Sequence, residues 1–296
     1  MVLLLGMPFF FYGGPGAHGS RSFVALWDLG HVLFFFLASL WLFKYLQNCF
    51  PTRSIFVVSR NVFLIVLFLG FAIEGLQMCF SGDRSPDMVD ILRNQLGCMI
   101  ALNVYLVEKG YRRTLFRFVT FGFVCIALIP LILGAGDEWI ARQQFPVISD
   151  FETSFEIDRW KAEGRLSVEK EIARNGIQSL KVRLTTDKYS GVSLQYVREN
   201  WRGYNHLLVS IYNPDDESLE IICRIHDSAH NNKYNDRFNR KFLLRKGWND
   251  LVISIHEIEN SLNGRLLNLD EVETIGFFVV EQERERVVYI DSVYLE

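Results

Sequence analysis

The chain has 296 residues, half of them hydrophobic, with 31 Lys and Arg against 34 Asp and Glu and a formal net charge of −3. That length admits two domains, and so small a charge with no basic stripe excludes nucleic acid as an expected partner. Cys49, Cys79, Cys98, Cys125 and Cys223 fit no zinc spacing, and Cys223 stands alone in the later half, so that half has no internal disulfide and each cysteine reads as a small buried hydrophobe.

Residues 1–135 are dense in Phe, Leu, Ile and Val. Met1 to Gly13 is apolar but shorter than the roughly 20 residues that span a bilayer. It lacks a basic leader and a small-residue cleavage site, so it reads as a short first helix and not as a cleaved signal. Phe23–Leu46 and Phe56–Phe80 are long enough to span. Asp90–Val107 is weaker, because Arg93, Asn94 and Gln95 lie in its first turns. Leu115–Ala135 is a clear span in which Pro130 is tolerable. Four to five transmembrane helices result. Lys44, Arg53 and Arg60 flank one loop, and Lys109, Arg112, Arg113 and Arg117 another, so both face the cytoplasm by the positive-inside rule. The loops at 14–22 and 81–89, and everything after Ala135, then face outward.

Within this apolar half the stretch Glu74 to Gly97 is polar. Ionisable groups there are costly unless paired or hydrated, which makes the cluster a candidate site. Asp28 and His31 share a face at the outer end of one helix, as do Glu74 and Gln77 on the next. Asp87, Asp90 and Asn94 run at i, i+3, i+7 into a third, preceded by Arg84. Ser85 and Pro86 read as that helix's cap and first turn, with Asp87 complementing its dipole. A polar turn at the headgroup level explains the loop charges alone, whereas convergence of three segments at one depth favours a pocket.

Residues 1–110 resemble the VanZ-like membrane family, on Asp28, His31, Glu74-x-x-Gln77, Arg84, Ser85, Asp87, Asp90, Asn94 and Gly97. The first helix is clipped relative to that pattern. The resemblance implies a small polytopic protein of the bacterial cytoplasmic (inner) membrane, and no established chemistry.

Residues 136–147 read as a polar linker ending at Pro146, and 148–296 as a soluble domain. Alternating runs begin at Leu166 and recur at Leu180, Val192, Leu207, Leu219, Leu251, Ile275 and Val287. Asn175-Gly176, Asn213-Pro214, Lys246-Gly247 and Asn263-Gly264 supply turns. About nine short strands predict an antiparallel β-sandwich. The frame Asp150-Phe151-Glu152, Trp160, Trp201-x-Gly203-Tyr204, Gly247-Trp248-Asn249 and Tyr289-Ile290-Asp291 resembles galactose-binding-like carbohydrate-binding modules of jelly-roll type. The resemblance implies a structural Ca²⁺ held by Glu152 and Asp291, and glycan binding on a face or at loop tips. Both acids could instead merely end strands. Trp201, Tyr204 and Trp248 read as core or corner residues. The polar segment from Arg224 to Arg237 offers Asp227, Tyr234, Asp236 and Arg237 as glycan ligands, although a solvated hairpin has the same composition. His226 and His230 stand at i and i+4 on a segment that reads as a loop, and do not suggest a metal site.

Three functions compete. One is a non-catalytic envelope protein whose outer module binds a glycan. Another is an enzyme or transporter of a lipid-linked precursor, using the carboxylates, His31 and Arg84. In the last, the module makes protein contacts. No nucleophile motif, P-loop or zinc-protease motif occurs.

Overall fold

The computed structural model describes residues 19–80, 87–195 and 200–296. The expected first helix at Met1–Gly13, Arg84, and the Ser85–Pro86 cap lie outside the described residues. The chain divides into two compact units, Met1–Gly136 and Asp137–Glu296.

The first unit is helical: α1 (Arg21–Cys49), α2 (Ile55–Phe80), α3 (Met88–Glu108) and α4 (Thr114–Gln144). Ser20 Oγ caps α1 by accepting from Phe23 N at 3.3 Å. Asp87 Oδ1 caps α3 by accepting from Val89 N at 2.8 Å, so Asp87 is the N-cap and the helix starts at Met88. Among the described residues, α1, α2 and α4 are long and apolar enough to cross a membrane, whereas the polar start of α3 keeps it out of that class. Helix α4 does not stop at Ala135. The segment after Gly136 is rich in good helix formers (Glu138, Ala141, Arg142, Gln143), and the helix continues until Phe145-Pro146 ends it.

Polarity in this unit is inverted relative to a water-soluble bundle. Leu33, Phe56, Phe68, Leu115 and Phe118 are exposed, whereas His31, Glu74, Asp90 and Asn94 are buried. Phe35, Phe43, Val62, Val66, Cys98 and Tyr105 form the core, with Phe43 and Tyr105 stacked at 5.2 Å. Gly97 lets α1 and α3 touch backbone to backbone. A Cβ there would lie 2.4 Å from Val32 O and 2.8 Å from Phe36 N.

The second unit is an antiparallel sandwich. A six-stranded sheet runs β3 (Leu166–Glu169), β4 (Ser179–Leu184), β11 (Arg286–Leu295), β6 (His206–Asn213), β9 (Gly247–Ser254), with β1 (Val147–Ser149) also paired to β11. A five-stranded sheet runs β2 (Trp160–Ala162), β5 (Tyr189–Leu194), β10 (Val272–Val280), β7 (Leu219–Asp227), β8 (Phe238–Leu244). All eight expected runs lie in strands, and β1, β2 and β8 are additional. The alternating run from Leu251 reads on through Ile253 to Ile255, but Ile255 instead begins the short helix α5 (Ile255–Glu259). Trp201, Leu180, Leu184, Leu194, Ile211, Ile221 and Phe277 fill the space between the sheets. Burying a side chain of this size contributes about 1.5–3 kcal/mol. At the start of the unit, Arg159 Nε donates to Asp137 Oδ1 at 2.8 Å in a buried ion pair.

Candidate functional site

The helical unit gathers most of its expected polar residues. His31 bridges two α3 side chains, with Nδ1 3.1 Å from Asn94 Oδ1 and Nε2 3.5 Å from Asp90 Oδ2. Arg93 joins both acids. Its Nη1 is 2.5 Å from Asp90 Oδ1 and its Nη2 is 2.9 Å from Asp28 Oδ2. Glu74 Oε2 accepts from Asp87 N at 2.8 Å, tying α2 to the start of α3. Glu74 is only 4 % exposed, and its other oxygen, Oε1, meets no hydrogen-bond partner among the described residues. Gln77 is buried one turn further on. Arg93 has no place among the expected ligands, yet it is the residue that links Asp28 to Asp90. Its signal was present in the sequence as a charge three residues after Asp90, on the same helix face.

In the sandwich the expected ligands divide. Asp227 is fully buried, and both its oxygens accept from Arg265, at 2.5 and 2.8 Å; Asp236 Oδ1 accepts from Arg265 Nε at 2.7 Å. These acids anchor Arg265 and have little left to offer a sugar. Burial alone would raise the Asp227 carboxyl, but Arg265 and the Asn268 amide outweigh it and hold it low. The same guanidinium and the Asn231 amide hold Asp236 at about 2. His230 Nδ1 donates to Asp236 O at 2.7 Å, and its ring lies 4.5 Å from that of His226. Tyr234, by contrast, is 68 % exposed, with the Arg237 guanidinium 5.3 Å from its ring centroid.

Asn239 Nδ2 donates to the Tyr234 and Arg237 carbonyls, each at 3.3 Å, and strand register shows what Asn239 stands beside. Ile275, Phe277, Cys223 and Ile225 point into the core, so by alternation Thr274, Gly276, Arg224, His226 and Asn239 occupy the outer face of the five-stranded sheet. Gly276 pairs with Ser193 on one side and Arg224 on the other, and Arg224 pairs with Asn239. Three atoms on this face, Thr274 Oγ1, Asn239 Oδ1 and Arg237 Nε, are buried without a hydrogen-bond partner among the described residues. Thr274 is only 2 % exposed. Burial, reinforced by the like charge of Arg237 and opposed by Glu163, lowers the Arg224 guanidinium from its usual range. A Cβ at Gly276 would meet nothing closer than 3.7 Å, so packing does not demand the glycine there; it leaves the floor of the face open. Tyr189 meets Phe278 edge-on at 6.2 Å further along the same sheet.

A second aromatic row crosses the other sheet, with Tyr212 5.3 Å from Trp248 and 5.9 Å from Tyr289. Trp248 therefore lies on a sheet face, whereas Trp201 is in the core and Tyr204 packs against it.

Glu152 and Asp291 hold one loop from two sides. Glu152 Oε1 accepts from Ile177 N and Gln178 N at 2.7 and 2.9 Å. Asp291 Oδ2 accepts from Arg174 N and Asn175 N at 2.6 and 3.1 Å, and Oδ1 from Ser292 N at 2.7 Å. Gly176 is required between them, because its φ is +68° and a Cβ would sit 2.2 Å from Glu152 Oε1. Burial, with Glu152 adding to it, raises the Asp291 carboxyl against the pull of those amides. Ca²⁺ takes about six to eight oxygen ligands. Here N–H donors converge on three of the four carboxylate oxygens, so the residues as arranged do not fit the ion and act as an anion-to-amide clamp. Adding EGTA to the full chain in detergent should leave its unfolding midpoint unchanged. A lowered midpoint that Ca²⁺ restores would contradict this.

No protein-family model matches the sequence, and no curated protein matches it. Among solved structures the chain is similar to a family 11 carbohydrate-binding module from Clostridium thermocellum, in complex with a β-1,3-1,4-mixed-linked tetrasaccharide. The identity is 16% and the TM-score 0.39, covering 50% of this chain and 93% of that one. It is also similar to a family 28 module specific for non-crystalline cellulose, at 12% identity and TM-score 0.37, covering 51% and 93%. An exo-β-agarase is similar at 17% identity and TM-score 0.41; 51% of this chain is covered and only 24% of the agarase. These similarities fall on the β-sandwich.

Proposed function

We propose that this chain is a bacterial cell-envelope membrane protein whose sandwich, outside the cytoplasmic membrane, binds a glycan on the outer face of its five-stranded sheet. One observation carries the proposal: Thr274 Oγ1, Asn239 Oδ1 and Arg237 Nε are sequestered and unpartnered around the open floor at Gly276. Leaving a buried polar group unpaired costs about 1–3 kcal/mol. A ligand that shifts the side chains covering them and carries both donors and acceptors recovers that cost, and a sugar hydroxyl is both. Tyr234 at one end and the Tyr189–Phe278 pair at the other offer rings for sugar faces. Lys44, Arg53 and Arg60, with Lys109, Arg112 and Arg113, support an outward sandwich through the positive-inside rule. The VanZ-like pattern of Asp28, His31, Glu74, Asp90 and Asn94 supports an envelope setting.

The test is a glycan array probed with the full chain in detergent. Binding to at least one envelope glycan is expected, weakened roughly tenfold in Arg224→Ala. Absence of binding to every envelope glycan would overturn the proposal.

A further inference from the structure

An apolar groove of about 240 Å³ runs along the first unit between α1, α3 and α4, lined among others by Leu29, Leu33, Phe36, Leu96, Ile100 and Ala127. The Asp28–Arg93 ion pair stands at its head. Asp28 adjoins Leu29 in sequence. Arg93, Leu96 and Ile100 fall at i, i+3, i+7, one stripe of α3, so the guanidinium leads directly into the groove wall. Both ion-pair side chains keep some exposure, 33 % for Asp28 and 19 % for Arg93. An apolar channel that begins at a charged pair matches one kind of occupant, an amphiphile.

The charge of the head narrows the class. Asp28 and Asp90 already neutralise Arg93, and Asp87 and Glu74 add further carboxylates. Among the described residues the cluster is thus rich in acceptors, and an anionic phosphate headgroup would meet net repulsion from them. A headgroup that brings donors without negative charge would meet attraction.

We propose that the membrane unit binds a lipid at this place, its uncharged, hydroxyl-bearing headgroup donating to the Asp28 and neighbouring carboxylates and one hydrocarbon chain lying in the groove. This rests on the reading of the first unit as membrane-spanning. It does not depend on glycan binding by the sandwich.

The experiment incorporates the full chain into phosphatidylcholine nanodiscs doped in turn with monoglucosyl diacylglycerol, phosphatidylethanolamine, phosphatidylglycerol or diacylglycerol. Lipid retained by the protein is read by native mass spectrometry. Failure to enter nanodiscs would count against the membrane reading itself. With insertion achieved, the glucosyl lipid should be retained roughly tenfold over phosphatidylglycerol and over diacylglycerol. Ala127→Trp, which fills the groove, should abolish retention while the unfolding midpoint holds. Asp28→Asn should erase the headgroup preference but leave chain binding. Equal or greater retention of phosphatidylglycerol, preference for phosphatidylethanolamine, or unchanged retention in Ala127→Trp would overturn the proposal.

Discussion

Replacing Arg265 with alanine should lower the unfolding midpoint of the sandwich by about 10 °C. The guanidinium is shared between Asp227 and Asp236, and Asp227 has no exposure of its own. Removing the partner of a buried charge costs about 3–5 kcal/mol. Arg265 is itself 30 % exposed, so water reaches the vacated space and the cost belongs at the low end of that range. The acid response should change with it. Asp236 is held at about 2 in the folded chain, first by Arg265 and then by the Asn231 amide. A carboxyl whose folded pKa is depressed stabilises fully above its unfolded pKa, near 4, and loses that contribution as pH falls toward its folded value. Wild type should therefore lose stability between about pH 4 and pH 2, and Arg265→Ala should lose much less across that window. Circular-dichroism melts over this range check both statements. An unchanged midpoint in the variant would show that Asp227 is solvated by another route.

Gly97→Ala should be at least as damaging in the helical unit. The added methyl would lie 2.4 Å from Val32 O, a backbone atom that cannot rotate away, so α1 and α3 must separate. Overpacking of this kind typically costs about 1–3 kcal/mol, and a backbone obstacle puts it at the upper end. The effect should also reach the polar cluster, since Asn94, one turn earlier on α3, holds His31 at 3.1 Å across the same contact. Gly30→Ala is the control, because nothing lies within 4 Å of a Cβ there. Size-exclusion profiles in detergent should show Gly97→Ala aggregated or depleted and Gly30→Ala like wild type. Identical profiles would mean that the helices do not pack as described.

The contrast between the two units explains what the sequence disclosed. In the helical unit a polar residue is conspicuous, because the runs around it are apolar. Asp28, His31, Glu74, Asp90 and Asn94 stood out for that reason, and three of the four helices were legible as apolar runs. In the sandwich, eight runs announced strands by strict alternation. Strand β8 did not, since Arg240 shares the core-side parity of Cys223 at the sheet edge, where it reaches Glu257, while Leu243 is exposed. The continuation of α4 through residues 136–144, read as linker, was hidden for a different reason: the good helix formers after Gly136 carry the helix to Gln144, and a polar composition was not enough to end it.

The outer face of the five-stranded sheet was hidden by its ordinariness. Every sandwich strand places polar residues outward, so Arg224, Asn239 and Thr274 look like solvent positions when read one strand at a time. Their meeting around Gly276 depends on pairing between residues far apart in sequence, which alternation does not encode. Asp227 and Asp236 drew attention instead, because acids beside a tyrosine suit a sugar, and the sequence held no sign that Arg265 would claim them.

The most direct measurement is isothermal titration of the full chain in detergent with its best array glycan, comparing wild type, Gly276→Val and Trp248→Ala. Valine suits a strand and its Cβ fits at position 276 in ordinary contact, so it closes the floor without unfolding the sheet. Trp248 lies on the other sheet. Glycan binding on the five-stranded sheet predicts a loss of at least roughly tenfold in affinity for Gly276→Val and none for Trp248→Ala. The reverse pattern, or full affinity in Gly276→Val, would contradict it.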